Sequence, residues 1–235
     1  MQKKMNRLGL FAKFWEPGKV KTRLASKIGN LNAANVYHAF LLNLLRNLNQ
    51  CGDRRTIAYA PVEKESQFQD LIQQQGLDWS IEPQQDGGLG ERMTRFFESQ
   101  FDAQNAKIVL VGSDCLDIDA DTLEQAFAML NENEVVLGPS FDGGYYLVGM
   151  SAYRPEIFQD IAWSTETVLA QTIERMTAEG ISYSQLEQKH DIDHLEDLIR
   201  LRDQMVDKAQ EDSAGEPTAA DAELLQVIQS VLEQS

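Results

Sequence analysis

The residues best suited to chemistry open the chain. Phe11-Ala12-Lys13-Phe14-Trp15-Glu16-Pro17-Gly18-Lys19-Val20-Lys21-Thr22-Arg23-Leu24 sets Lys13, Lys21 and Arg23 around a Pro17-Gly18 turn. A turn of this kind frees backbone N–H groups, and a short helix opening near Thr22 would add its N-terminal amides. Ammonium and guanidinium groups match phosphate oxygens. The loop is not a Walker-type P-loop, because Val20 rather than Gly precedes Lys21-Thr22. The competing reading is a structural turn carrying surface lysines.

Two acidic segments lie far downstream. Val111-Gly112-Ser113-Asp114-Cys115-Leu116-Asp117 places a carboxylate just past an apolar run, where Asp114 either holds Mg²⁺ or Mn²⁺ against a diphosphate or caps a turn. His190-Asp191-Ile192-Asp193-His194 offers alternating carboxylates, one facing a cleft and the other the helix that follows. Asp193 is equally suited to capping that helix, with Glu196 completing a capping box. His190 and His194 do not read as a zinc pair, because a loop separates them. Cys115 has no histidine near it in sequence and reads as a small buried residue.

Three further segments have site-like composition. Leu137-Gly138-Pro139-Ser140-Phe141-Asp142-Gly143-Gly144-Tyr145 is either a plain hairpin or a backbone approach to a ligand, with Gly143, Gly144 and Tyr145 as candidate substrate contacts. Gln84-Gln85-Asp86-Gly87-Gly88-Leu89-Gly90-Glu91-Arg92 enters a helix, and its Asp86, Gly90, Glu91 and Arg92 could hold a base, ribose or sugar. Ile161-Ala162-Trp163-Ser164-Thr165 provides an N-cap at Ser164 or Thr165 and, at Trp163, a ring that either stacks on an acceptor or belongs to the core.

The charge distribution fits a small bound anion. The chain carries −16 in all, yet residues 1–27 hold eight of its 21 basic residues and one acid, a local +7. The overall sign disfavours nucleic acid and anionic membranes as partners. A hydrophobic fraction of 43% over 235 residues supports a folded core. Two cysteines, Cys51 and Cys115, exclude a disulfide framework. No apolar run reaches the ~18 residues of a membrane span, and the basic N-terminus lacks a signal-peptide core, so a soluble cytoplasmic protein is expected.

The elements that must position these residues alternate. Strands are predicted at 8–12, 55–60, 79–82, 107–112, 135–138, 145–149 and 181–186. Helices are predicted at 32–49, 62–75, 91–102, 119–130, 165–179 and 193–205. This alternation predicts an α/β fold, a three-layer α/β/α arrangement around a mostly parallel sheet. Ligands of such sheets bind beyond the carboxyl ends of the strands, where the 13–23, 113–117 and 191–194 loops fall. The domain is expected to span 1–206, followed by an acidic linker at 207–220 and an amphipathic helix at 221–235. That helix docks on its own domain or on a partner, with oligomerisation as one outcome.

Taken in order, FAK…PGKVKTRL, DGGLGERM, GSDC, LGPSFDGGYYLVG, AWSTETVLAQT and DIDHLEDL resemble a bacterial family of glycosyltransferase-A-like transferases. Its members are often found beside radical-SAM or selenium-associated proteins. It is related to the phospholactate guanylyltransferases and the molybdenum-cofactor nucleotidylyltransferases. The resemblance spans about residues 7–202 and implies a nucleotide-diphospho-sugar transferase fold. By it, Lys13, Lys21 and Arg23 match a phosphate-binding signature; Gly18 and Thr22 of the same loop are further candidate phosphate contacts. Asp114 matches a metal-binding aspartate, and Asp193 or Asp191 a second metal-side carboxylate. Trp15, Leu116 and His194-Leu195 depart from the family pattern, which has Pro, Pro and Thr-Pro there. The expected function is Mg²⁺- or Mn²⁺-dependent transfer from a nucleotide-activated substrate to a small-molecule acceptor. Glycosyl transfer from an NDP-sugar leads, with Asp142 as general base; nucleotidylyl transfer from an NTP is the alternative. A nucleotide-binding scaffold without turnover is a third reading.

Overall fold

The structure, a computed structural model, describes residues 4–101, 106–210 and 218–234. Strand β1 (Met5–Lys13) leads through α1 (Thr22–Ile28) and α2 (Asn30–Asn47) to β2 (Arg54–Ala60). A 3-10 turn and α3 (Glu65–Gln75) precede β3 (Ser80–Pro83), α4 (Leu89–Gln100) and β4 (Ala106–Gly112). Helix α5 (Ala120–Met129), β5 (Val135–Pro139) and β6 (Tyr145–Met150) follow. The chain continues through α6 (Val168–Ala178), β7 (Tyr183–Gln185), α7 (Leu195–Gln210) and α8 (Ala219–Glu233).

The strands form one sheet in the order β3-β2-β1-β4-β6-β5-β7. Strand β6 alone runs against its neighbours, pairing antiparallel with both β4 and β5. The reason is local: the Asp142-Gly143-Gly144 turn folds β5 back into β6 as a hairpin. The remaining pairs are parallel, as the alternation predicts.

Period-2 alternation sorts the strand side chains into two cores. Leu8, Leu10, Val109 and Val111 meet helices α2, α3 and α5 on one face. Ile108, Leu110, Val148 and Met150 meet α4 and α6 on the other. The runs Leu8–Ala12 of β1 and Ile108–Val111 of β4 are unbroken by polar side chains because both faces are covered. This is the three-layer α/β/α fold that the sequence implied.

Several boundaries move for identifiable reasons. Helix α4 begins at Leu89 rather than 91 because the Glu91 carboxylate accepts from Gly88 N at 2.8 Å and closes the helix entrance. Helix α6 begins at Val168 rather than 165: the Thr165 hydroxyl donates to Ala162 O at 2.7 Å and stabilises a turn instead of capping. Helix α7 runs to Gln210, so 207–210 of the stretch expected as linker is helical, while 211–217 lies outside the described residues.

Helix α8 docks on its own domain. Leu224, Ile228 and Val231 pack with Phe40 of α2 and with Leu198 and Leu201 of α7. Thr218 caps the helix, accepting from Asp221 N at 3.1 Å, while Asn43 Nδ2 donates to Asp221 Oδ1 at 2.7 Å. Burial raises the Asp221 carboxyl pKa, but hydrogen bonds from Asn43, Thr218 and Asn47 outweigh it and hold it below its ordinary value. The stabilisation is therefore present above the unfolded-state pKa of ~3.9 and is lost as pH falls through the lower folded-state value. Asp221→Ala is expected to cost about 1–2 kcal/mol in urea denaturation at pH 7, the scale of a cap plus a charge-assisted bond. The gap between it and wild type should close in strong acid; a gap unchanged down to pH ~2.5 would refute this account.

Candidate active site

Strands β1, β4, β5 and β7 point the same way, so the loops after them share one edge of the sheet. Backbone bonds pull those loops together: Ile192 N donates to Asp114 O at 3.0 Å, and Phe141 N donates to Lys189 O at 3.1 Å. The Lys189 ammonium adds a bond to Asp117 O at 2.9 Å. On the other side, Tyr37 OH accepts from Lys13 N at 2.9 Å and bonds the Ser113 hydroxyl at 2.9 Å. Tyr37 thereby fixes the end of β1 to the loop after β4. Burial drives its phenol pKa well above the ordinary value, with the Asp114 charge adding to the shift, so Tyr37 stays protonated.

Between these loops lies a cavity of about 720 Å³, in the size range of small-molecule sites. Lys21 reaches across it. Its Nζ sits 2.6 Å from Asp114 Oδ1 and 3.4 Å from Asp193 Oδ1. Arg23 Nη1 takes the other Asp193 oxygen at 3.2 Å. The Lys21 side chain is 2% exposed, whereas Asp114 is 55% exposed and opens to the cavity. Lys21 also adopts a left-handed backbone (φ +44°), a conformation that costs an L-residue roughly 1–2 kcal/mol. The first, middle and last acidic and basic segments of the sequence thus meet at one place.

A second pair of carboxylates lies beside the first. Asp142 Oδ1 accepts from Ser140 Oγ at 2.6 Å and from Gly144 N at 2.9 Å, which fixes its orientation. Asp191 is pushed up to about 7 by burial and by the nearby Asp142 and Asp114 charges, partly offset by Lys21 and a Ser140 hydrogen bond. Capping of α7 falls to neither Asp191 nor Asp193: the N–H groups of Asp193 and His194 donate to Asp197 Oδ2 at 3.1 and 2.8 Å. Cys115 is buried, with its thiol pushed up to about 12 by burial and then by Asp191, which makes it a poor nucleophile.

Lys13, Thr22, Arg92, Gly144, Tyr145, Trp163, Ser164 and Thr165 also line the cavity, together with Lys19. Arg92 is aimed by bonds to Gly87 O at 3.0 Å and Gln84 Oε1 at 3.3 Å. Leu89, Met93, Tyr145, Trp163 and Val168 add apolar surface to the lining, beside Arg92 and Glu166. Gly18, Asp86, Gly90, Glu91 and Gly143 are not among its walls. Gly18 sits in the turn below Lys19, the Asp86 carbonyl accepts from Arg95, and Glu91 is the cap of α4. A Cβ on Gly90 would stand 2.6 Å from Trp163 Nε1, so its bareness seats the Trp163 ring. Trp15 lies away from the cavity, stacked on His38 with centroids 4.3 Å apart and edge-on to Phe68, and anchors the basic loop. Tyr37, Ser140 and Asp197 also shape the site, yet nothing local in the sequence distinguishes them from core, turn and surface-helix residues.

Among the described residues, no group of three or more His, Cys, Asp or Glu side chains is disposed to hold a metal ion by itself. Mg²⁺ and Mn²⁺ do not require one, since they accept one or two carboxylates and complete their shell with phosphate oxygens and water. The position against Asp114 and Asp193 already holds the Lys21 ammonium, and the donors are hard oxygens. The residues present therefore fit a divalent ion brought in with phosphate. No helix among the described residues is long and apolar enough to cross a membrane.

Fold and site together describe a nucleotide-diphospho-sugar transferase architecture with a charged cavity at its carboxyl edge. Residues 44–165 match the family described as "uncharacterized protein conserved in bacteria (DUF2064)", and the chain belongs to that family. A Desulfovibrio desulfuricans G20 protein, provisionally named a nucleotide-diphospho-sugar transferase, is 30% identical over 99% of this chain and 98% of its own, with a TM-score of 0.82. The inositol-1-phosphate CTP transferase of T. maritima shares the fold at 14% identity over 97% of this chain and 98% of its own, with a TM-score of 0.54. A Mycobacterium tuberculosis H37Rv protein in complex with manganese is 14% identical over 85% of this chain and 98% of its own, with a TM-score of 0.50. No curated protein matches the chain significantly in sequence.

The hairpin glycine provides a direct check on this geometry. A Cβ on Gly143 would fall 2.1 Å from the Glu166 carbonyl oxygen, and its φ is +89°. Both penalties are backbone-borne, so Gly143→Ala is expected to lose about 2–3 kcal/mol in urea denaturation. A change under ~0.5 kcal/mol, with binding of UDP, GDP or CDP alone affected, would instead make Gly143 a ligand contact.

Proposed function

We propose that this protein is a metal-dependent transferase that uses a nucleotide-activated substrate, with glycosyl transfer from an NDP-sugar to a small-molecule acceptor as its reaction. The order of its motifs, which resembles that of the transferases found beside radical-SAM or selenium-associated proteins, supports this reading. The observation that carries the reading is the meeting of Lys21 and Arg23 with Asp114 and Asp193 at the mouth of the cavity. A diphosphate is the ligand that uses both signs at once: its oxygens would take the ammonium and guanidinium, and the carboxylates would hold a divalent cation that offsets its charge. The manganese of the M. tuberculosis fold neighbour is consistent with that cation class. Nucleotide substrates of this kind would place the protein in the cytoplasm.

In this mechanism Lys13, Lys21 and Arg23 hold the diphosphate, and Asp114, with Asp193 or Asp191, would hold Mg²⁺ or Mn²⁺. When bound, the ion supplies charge neutralisation of the departing NDP. Asp142, fixed by Ser140 and Gly144, takes the proton of the acceptor hydroxyl. The acceptor oxygen forms its bond to the anomeric carbon as the bond from that carbon to the diphosphate oxygen breaks. Trp163, Tyr145 and the apolar part of the lining receive the acceptor, whose water-exposed surface is reduced there.

A specific feature also favours nucleotidylyl transfer. Lys13, Lys19, Lys21, Arg23 and Arg92 all line the cavity, enough positive charge for a triphosphate. In that reaction a phosphorylated acceptor attacks the α-phosphorus and pyrophosphate leaves. Product analysis separates the two: NDP-sugars and NTPs are incubated with Mn²⁺ and an acceptor panel, and released NDP or pyrophosphate is measured. NDP release is expected; pyrophosphate release would replace the glycosyl reading with the nucleotidylyl one. Whichever product forms, Asp114→Asn should lower the rate by ~100-fold or more with the fold retained by circular dichroism. Full rate in that variant would remove Asp114 from the chemistry.

A further inference from the structure

Lys21 does more here than wait for phosphate. Its ammonium is 2.6 Å from Asp114 and 3.4 Å from Asp193, and the side chain is closed off at 2% exposure. Behind it, the Phe40 ring centroid lies 5.8 Å from Nζ, so the charge has an aromatic floor as well as two carboxylate partners. The second oxygen of Asp193 is occupied by Arg23. A divalent ion approaching the same two carboxylates would meet like charge at contact distance.

Resting on the metal-dependent reading above, we infer that Lys21 is a placeholder for the divalent cation. In the unliganded protein its ammonium occupies the ground between Asp114 and Asp193. A nucleotide's diphosphate draws the ammonium onto its own oxygens, and the metal then takes the vacated carboxylates. The lysine stem has four methylene groups and rotatable donors, which suits an ammonium that changes partners. The carboxylates left by Lys21 and the phosphate oxygens that it joins are together the mixed shell that Mg²⁺ and Mn²⁺ prefer. Metal and nucleotide uptake are thereby coupled, and each must strengthen the other by the same factor. The arrangement also keeps a free divalent ion from settling on the site alone.

The experiment is a titration of the full-length protein with Mn²⁺ alone, followed through the electron paramagnetic resonance signal of the free hexaaqua ion. Wild type is expected to bind weakly. Lys21→Met should bind Mn²⁺ at least tenfold more tightly, Lys21→Arg should remain weak, and Asp114→Asn in the Lys21→Met background should cancel the gain. Circular dichroism checks folding, and Lys21→Gln replaces Lys21→Met if the latter is unfolded. Equal Mn²⁺ affinity in wild type and the charge-removing variant would overturn the placeholder role. So would tight wild-type binding that Asp114→Asn abolishes. A parallel titration with UDP, GDP and CDP in the presence of Mn²⁺ keeps the two readings apart. Tightened Mn²⁺ in Lys21→Met with no nucleotide bound by any variant would uphold the placeholder and sink the nucleotide reading. Nucleotide binding with unaltered Mn²⁺ affinity would do the reverse.

Discussion

The interaction on which the rest depends is the bridge from the Lys21 ammonium to Asp114 and Asp193. Four carboxylates, Asp114, Asp142, Asp191 and Asp193, line one wall of one cavity. Left alone they would repel one another and drive the loops apart. Lys21 and Arg23 offset Asp114 and Asp193, while Asp191 relieves the remainder by holding its proton up to about pH 7. The folded protein is thus balanced but short of positive charge on the Asp142–Asp191 side. A cavity in that condition favours a ligand that brings cations with it.

The scaffold makes this crowding tolerable. The parallel strands deliver three distant segments to one edge, and main-chain bonds such as Ile192 N to Asp114 O tie them there. Tyr37 adds a protonated phenol between the β1 end and Ser113. Trp15, packed on His38 and Phe68, holds the root of the basic loop against α2 and α3. The departure at Trp15 from the pattern that the sequence resembles therefore bears on the shape of the loop and not on the lining of the cavity.

Much of this was legible in the sequence because it is written locally. Unbroken apolar runs such as Ile108–Val111 announce strands covered on both faces, and the basic loop and Asp114 stand out by charge beside them. The Asp142-Gly143-Gly144 turn carries its own hairpin signal, which is why β6 could be anticipated as a strand yet its reversed direction had to come from the turn. Pairings across the chain leave no such trace. Nothing near Asp197 says that it, rather than Asp193, closes the start of α7, and nothing near Tyr37 says that its hydroxyl meets Ser113. Glu91 and Gly143 have the composition of ligand contacts, but their geometry serves a helix cap and a close backbone approach.

The fold itself hosts more than one transfer chemistry, so function rests on the site. Its lining joins lysines, arginines and carboxylates to tyrosine, tryptophan and aliphatic side chains. The most direct measurement is a crystal structure of the protein grown with Mn²⁺ and a nucleoside diphosphate. The diphosphate is expected between Lys21, Arg23 and a manganese ion on Asp114, with Nζ of Lys21 moved off that carboxylate. A nucleotide bound elsewhere on the molecule, or a Lys21–Asp114 contact intact beneath a bound diphosphate, would contradict this arrangement.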